Sequence, residues 1–196
     1  MGKHLLDPGY FTESDLQGMG FLRIGKNVRV GKNSTFIGLE NISLGSNVRI
    51  DGNVTFACSD GDISIGSYVH IGGNSHISGS GGVEISDFCT ISQGVRIYSA
   101  SDDYSGQSLT NSTVPQEFRN EHRSRVLLRK HVILGSGTVI LPGCNLGEGA
   151  AVGALSLVKS NLDDWSIYGG SPARFIKNRS RGLLGHNPEA LLAGIK

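Results

Sequence analysis

The chain has 196 residues and a formal net charge of +1; this fits one domain with short appendages and gives no electrostatic reason to expect nucleic acid or a membrane surface as partner. No apolar run approaches the ~20 residues of a membrane span, and the start MGKHLLDPGYF lacks a signal-peptide core, so the chain reads as cytoplasmic. Its 3 cysteines, Cys58, Cys89 and Cys144, are too dispersed for a disulfide framework or a metal cluster.

Residues 1–20 read as an N-terminal cap segment. Within them TESDLQG predicts a short helix with Thr12 as N-cap and Gly18 or Gly20 at its end. From residue 21 to 178 the chain repeats in steps of six. Large aliphatic or aromatic residues fall at Ile24, Val30 and Phe36; Leu44, Ile50 and Phe56; Ile65, Ile71 and Ile77; Ile85, Ile91 and Ile97; Leu128, Leu134 and Ile140; and Leu146, Val152 and Val158. The position two residues before each, from Leu22 and Val28 to Ala150 and Ser156, is apolar or small. A step of six with glycine beside the aliphatic residue describes a short strand, a tight corner and another short strand, so three steps close one triangular coil. The pattern predicts an all-β fold of six coils and eighteen strands, with the first helix covering the exposed strand edges of its lower end.

The breaks in the period all leave from one corner. Two surplus residues follow Phe36, three follow Phe56, two follow Ile77 and twenty-five follow Ile97. After the first and second strands of a coil the next residue is mostly glycine, whereas after the third it is Ile37, Ala57, Ser78, Tyr98, Leu141 or Lys159. A single long loop, residues 98–125, therefore projects from the variable corner, where long loops on rigid scaffolds tend to carry function. One residue before each inward aliphatic faces outward. The first face, with Arg23, Ser43, Ser64, Glu84, Leu127 and Asn145, is mostly polar; the other two turn apolar in the upper coils, at Ile133 and Ala151 and at Val139 and Leu157, which suggests contact with other chains. Residues 179–196 form a tail in which Asn187-Pro188-Glu189 starts a helix that packs outside the prism.

The hexapeptide frame, the run ILPGCNLGEGAAVGALSLV and the following WSIYGGSPARFIK resemble the hexapeptide-repeat acyltransferases over about residues 20–178; the closing motif is Gly170–Arg174. The resemblance implies a left-handed parallel β-helix, against the usual right-handed preference of parallel connections, a homotrimer with sites between subunits, and acetyl-CoA as co-substrate without a metal. YSASDDYSG and YVHIG are similar to sugar-modifying members, which implies acetyl transfer to the amino group of a nucleotide-linked amino-deoxy sugar for a bacterial surface polysaccharide such as O-antigen. O-acetylation of a sugar hydroxyl is the runner-up, and a non-catalytic trimeric scaffold is the alternative of another class. A zinc hydratase would need three imidazoles converging from two chains.

Many relatives carry a histidine base on the long loop, but the matching stretch here, residues 97–104, has none. The resemblance puts Asp102 or Asp103 in that place, where a carboxylate could bind an ammonium group and take its proton. His70 and His76, outward and one strand apart, are the competing bases, with His70 ranked first. Tyr104, Arg96 and Arg123 are placed with Asp103 at the sugar substrate. His131, at a corner, and His122, in the loop, are expected to meet solvent or substrate. The coenzyme is expected along the small residues Gly135, Ser136, Gly153 and Ala154, where exposed backbone can accompany a pantetheine arm, with Lys159, Arg174 and Lys177 at its phosphates.

Overall fold

A computed structural model describes residues 8–195, and the start of the cap segment with His4 lies outside them. Three parallel sheets form the walls of a triangular prism, a left-handed parallel β-helix. All eighteen strands are present, and equivalent residues of successive coils lie in register. On the first face Arg23, Ser43, Ser64, Glu84, Leu127 and Asn145 follow one another outward; on the second, Arg29, Arg49, His70, Thr90, Ile133 and Ala151; on the third, Thr35, Thr55, His76, Arg96, Val139 and Leu157. The inward aliphatics are buried from the second coil upward, and Cys58, Cys89 and Cys144 are buried with them. Desolvation pushes the Cys58 thiol up to about 11 and that of Cys89 to about 12, so both stay protonated and inert at neutral pH.

The lower end is closed by a helix over Glu13–Gln17. Thr12 and Asp15 cap it reciprocally, the Asp15 N–H donating to the Thr12 hydroxyl and the Thr12 N–H to the Asp15 carboxylate. Its Leu16 is 1% exposed and plugs the prism. Leu22, assigned to the interior by the period, is 66% exposed instead, because no coil lies beneath it.

The upper end differs from the six-coil expectation, since the prism continues into a seventh, incomplete turn. Leu162 bridges in parallel to Leu146, and the strand Ser166–Gly169 pairs with Ala151–Val152, placing Tyr168 beside Val152. The step from Leu162 to Tyr168 is again six, but the step from Val158 to Leu162 is only four, and that deletion hides the turn from a six-residue frame. The chain then reverses, and Arg174–Asn178 runs antiparallel to this strand. A helix over Pro188–Ala193 packs outside the prism through Lys130–Glu189, 2.8 Å, and the Tyr68 hydroxyl on the Leu191 carbonyl, 3.2 Å. Asn187 starts it in the left-handed region without a side-chain cap, unlike the expected capping role.

The corner between the first and second strands requires positive φ in every turn: Asn27, Asn47, Tyr68, Phe88, His131, Gly149 and Trp165 all adopt it. For bulky residues this conformation is costly. Stacking offsets it here, with Tyr68 on Phe88 at 5.3 Å and Phe88 on His131 at 5.1 Å between centroids, and Trp165 tilted over His131 at 6.0 Å. His131 is thus 6% exposed rather than solvent- or substrate-facing, and burial lowers its basicity. Arg179 closes the column by donating to the His131 and Gly149 carbonyls at 2.8 and 2.9 Å. At Gly149 an added Cβ would lie 2.5 Å from the Trp165 ring, at φ +67°. Gly149→Ala should therefore destabilise the chain by about 2–4 kcal/mol, combining left-handed strain with overpacking. Gly153→Ala, whose Cβ would meet nothing nearer than 3.6 Å, should stay within ~0.5 kcal/mol. Denaturant unfolding of both variants checks this, and equal losses would contradict the stacked corner.

Candidate active site

The long loop leaves the third corner after Tyr98 and returns at Val126. Its root is a two-stranded ribbon, with Ala100 opposite Arg123 and Ser101 opposite His122. Ion pairs pin the ribbon to the prism below, Arg123 with Asp60 at 3.3 Å and Arg125 with Asp62, while Arg123 also pairs within the loop with Glu121 at 2.8 Å. This anchoring holds the next residue, Asp102, at a fixed place beside the prism.

Asp102 stands where three hollows meet. The largest, about 620 Å³, lies between the loop and the upper third corner, and Tyr98, Ala100, Ser101, Asp102, Tyr104, Leu141, Pro142 and Leu157 line it. A second, about 390 Å³, is polar and opens on the other side of the ribbon. A third, about 220 Å³, is bounded by Asp102, Asp103, Tyr104 and Thr110. Asp102 is exposed, and among the described residues its carboxylate accepts only the Asn111 N–H, at 3.4 Å. It retains most of its capacity to receive a cationic or hydroxylated ligand.

Asp103 is differently employed. Its two oxygens accept the Ser105 N–H at 2.7 Å and the Ser108 N–H and hydroxyl at 3.0 and 2.8 Å. Hydrogen bonds from Ser105 and Ser108 lower its pKa to about 2, so it organises the loop rather than offering a free carboxylate. Tyr104 is 93% exposed at the rim of the large groove. Arg123 is occupied by the ion pairs at the ribbon root, and Arg96 faces outward on the third face, donating to the Gly94 carbonyl at 3.3 Å. Neither lines any of these three hollows.

The two histidines part company. His70 lies on the second face with Nε2 2.8 Å from Asp51, which also accepts from Arg49 at 2.7 Å and from the Tyr10 hydroxyl at 3.0 Å. Burial opposes the Asp51 charge, but these three partners outweigh it and hold the carboxyl below its ordinary value. His76 lies on the third face, one coil below the loop, with its ring tilted over Tyr98 at 5.6 Å. It thus sits under a wall of the large groove. Burial, then the Arg96 charge, lower its basicity. Within one chain His70 and His76 occupy different faces and do not converge.

The expected coenzyme residues fall on two edges and one face. Gly135, Ser136, Gly153 and Ala154 form consecutive rungs of the second corner, where an added Cβ on Gly153 would meet little. Lys159 is exposed at the third corner, directly after the strand that pairs above Ile140, and so stands over the Leu141–Pro142 wall. Arg174 and Lys177 are exposed on the antiparallel strand that extends the second face. Sequence reasoning missed Tyr98, Leu141, Pro142 and Leu157 as groove walls. The signal was present, because the third corner carries side chains where the other two carry glycine.

Residues 22–56 and 62–99 match a family model described as the hexapeptide repeat of succinyl-transferase. A dTDP-4-amino-4,6-dideoxy-D-glucose acyltransferase from Escherichia coli is 45% identical over 175 residues, 89% of this chain and 91% of that protein. AntD, an N-acyltransferase from Bacillus cereus solved in complex with dTDP and 3-hydroxybutyryl-CoA, superposes with a TM-score of 0.89 at 40% identity, covering 94% of this chain and 97% of that one. A hexapeptide-repeat acetyltransferase from Vibrio cholerae bound to acetyl coenzyme A shares the fold, with a TM-score of 0.59 at 19% identity over 85% of this chain and 76% of that one. With the coil, its period and a relative this similar over nearly its whole length in agreement, the chain belongs to the hexapeptide-repeat acyltransferases.

Proposed function

We propose that this enzyme transfers an acyl group, acetyl in the simplest case, from a coenzyme A thioester to the amino group of a nucleotide-linked amino-deoxy sugar. The 45% identity to an acyltransferase for such a sugar, extending over 89% of this chain, carries the reading; the complexes of AntD with dTDP-4-amino-4,6-dideoxyglucose and coenzyme A support it. In the reaction the amine nitrogen bonds to the thioester carbonyl carbon, the C–S bond breaks, the amine proton passes to a base or to water, and the thiol of coenzyme A leaves. Asp102, unshielded at the junction of the hollows, is suited to hold the substrate ammonium. The Tyr98, Leu141, Pro142 and Leu157 wall suits an acyl chain and pantetheine arm, with Lys159 above it toward the phosphates. The product would serve surface polysaccharide such as O-antigen. No helix among the described residues is long and apolar enough to cross a membrane, and a cytoplasmic location matches the supply of nucleotide sugars and coenzyme A thioesters. Purified protein mixed with acetyl-CoA or 3-hydroxybutyryl-CoA and panels of amino and neutral nucleotide sugars should release thiol only with the amino sugars. Turnover of neutral sugars alone would replace N-acylation by O-acylation.

The outward Ile133, Val139, Ala151 and Leu157 support a homotrimer with sites completed between subunits, an arrangement that could bring a second-face His70 toward a neighbour's groove. Val139→Asp should give monomers or aggregates in light scattering, since an unpaired buried charge costs several kcal/mol; an unchanged trimer would move the interface elsewhere.

Asp102→Asn should lower kcat/KM by more than about tenfold, within the ~10²–10⁴-fold range of acid–base contributions. The pH profile of kcat separates the bases. Because His76 is held below its ordinary 6.5, it is neutral and competent at pH 7, a His76 base would place the acidic limb below 6.5, and His76→Gln would remove that limb. If the sugar amine titrates by itself and the enzyme only positions it, replacements of His70, His76, Asp102 and Asp103 would all keep the wild-type profile.

A further inference from the structure

The acyl transfer described above leaves one charge without a partner. As the amine nitrogen bonds to the thioester carbon, the carbonyl π pair moves onto the oxygen, and the tetrahedral intermediate carries a positive nitrogen and a negative oxygen. Asp102 suits the nitrogen, which obliges the oxygen to turn away from that carboxylate toward a hydrogen-bond donor. The prism wall of the large groove cannot supply one from its backbone. The Leu141 N–H donates to the Val158 carbonyl and the Leu157 N–H to the Gly170 carbonyl, both at 3.0 Å, and Pro142 has no N–H.

Among the residues lining the groove, the side-chain O–H donors are Tyr98, Ser101 and Tyr104. The Ser101 hydroxyl already donates to the Asp102 carbonyl at 3.0 Å. Tyr104 is 93% exposed at the rim, where water competes for its hydroxyl. Tyr98 differs from both. It is half-buried at the root of the loop, its strand pairs with the coil below through Ser78, and its ring lies against His76 at 5.6 Å between centroids. Its hydroxyl has no hydrogen-bond partner among the described residues, and it is not one of the polar atoms sealed from solvent. The ring is therefore fixed while the phenolic O–H stays accessible. Beside the apolar Leu141, Pro142 and Leu157, such a donor acts strongly on charge that develops near it.

Resting on the acyltransferase reading above, we infer that Tyr98 is a catalytic residue of this transfer, its hydroxyl donating a hydrogen bond to the thioester oxygen as that atom becomes an oxyanion. The phenol keeps its proton throughout. When the intermediate collapses, the oxygen pair re-forms the carbonyl, the C–S bond breaks, the nitrogen gives its proton to a base or to water, and the coenzyme A thiolate is protonated from solvent. Tyr98→Phe tests the assignment, because it removes the hydroxyl and keeps the ring against His76. Its single-turnover rate of acyl transfer from acetyl-CoA should fall about 10²-fold, as for loss of one oxyanion donor, while both KM values stay within about threefold, since the oxyanion exists only in the transition state and intermediate. The loss should be the same factor at every pH where the wild type is active, and thermal unfolding should match the wild type. A rate within about threefold of the wild type would overturn the assignment and give the oxyanion to an N–H of the loop. Disappearance of one limb of the pH profile would overturn it by making Tyr98 a proton-transfer group, and a rate loss matched by a loss of stability would reduce it to packing. The oxyanion forms with an amine or a hydroxyl nucleophile, so the comparison runs on whichever acceptor the wild type uses; failure of N-acylation itself shows in the wild type alone.

Discussion

Everything in this molecule depends on coil stacking at the spacing of hydrogen-bonded strands, about 4.8 Å. Each wall residue donates to the coil next to it, as in Gly45 N–H to Ile65 O at 2.8 Å and Gly66 N–H to Ile85 O at 2.7 Å. That distance leaves a corner little room: a Cβ on Gly45 would lie 2.6 Å from the backbone of Gly66. The first corner therefore selects residues that tolerate positive φ, or bulky ones that recover the strain by stacking. The interior takes two side chains per strand, both apolar in the lower coils, as with Ile42 and Leu44 or Ile63 and Ile65, and one of them small at Ser75, Cys89, Cys144 and Ala150.

The same constraint explains why function gathers at one edge. The first and second corners repeat without insertion, so anything built there must repeat too. At the third, extra residues can leave and return without disturbing the ladder, and the coil above and below supplies a fixed base. The loop root is then tied down by Asp60, Asp62, Glu121, Arg123 and Arg125. Those ion pairs are exposed and individually weak; their effect is positional, because together they decide where Asp102 points relative to Leu141 and Leu157.

Two adjacent aspartates in this loop have opposite environments. Asp103 is saturated by Ser105 and Ser108, whereas Asp102 keeps its acceptor capacity and borders all three hollows described above. The loop's own hydrogen bonds thus divide the pair into a structural member and one left open, which the proposed function gives to the substrate amine. For transfer to an amine this suffices as a minimal device, since holding amine and thioester at reacting distance removes much of the entropic barrier. The histidines stand in three different surroundings. His131 belongs to the stacked corner, His70 is tied to Asp51, and His76 lies beneath Tyr98.

The six-residue period by itself determined the triangular coil, the three faces, the register and the corner from which the loop departs, because those features follow from local spacing and from glycine at the tight corners; the left-handed winding rested on the family resemblance. Outside the period, the N-terminal helix was legible too, from Thr12 as N-cap and Gly18 or Gly20 at its end. The period could not determine the seventh turn, where two residues are missing between Val158 and Leu162. Nor could it settle which aspartate stays free, that His131 would be sealed between Phe88 and Trp165, or that Leu141, Pro142 and Leu157 would wall the groove. Those outcomes rest on contacts between residues separated by tens of positions, on how a long loop folds back over higher coils, and on which hydrogen-bond donors reach each carboxylate first. Only the tertiary structure decides such things, because local spacing fixes which residues face outward but not what meets them there.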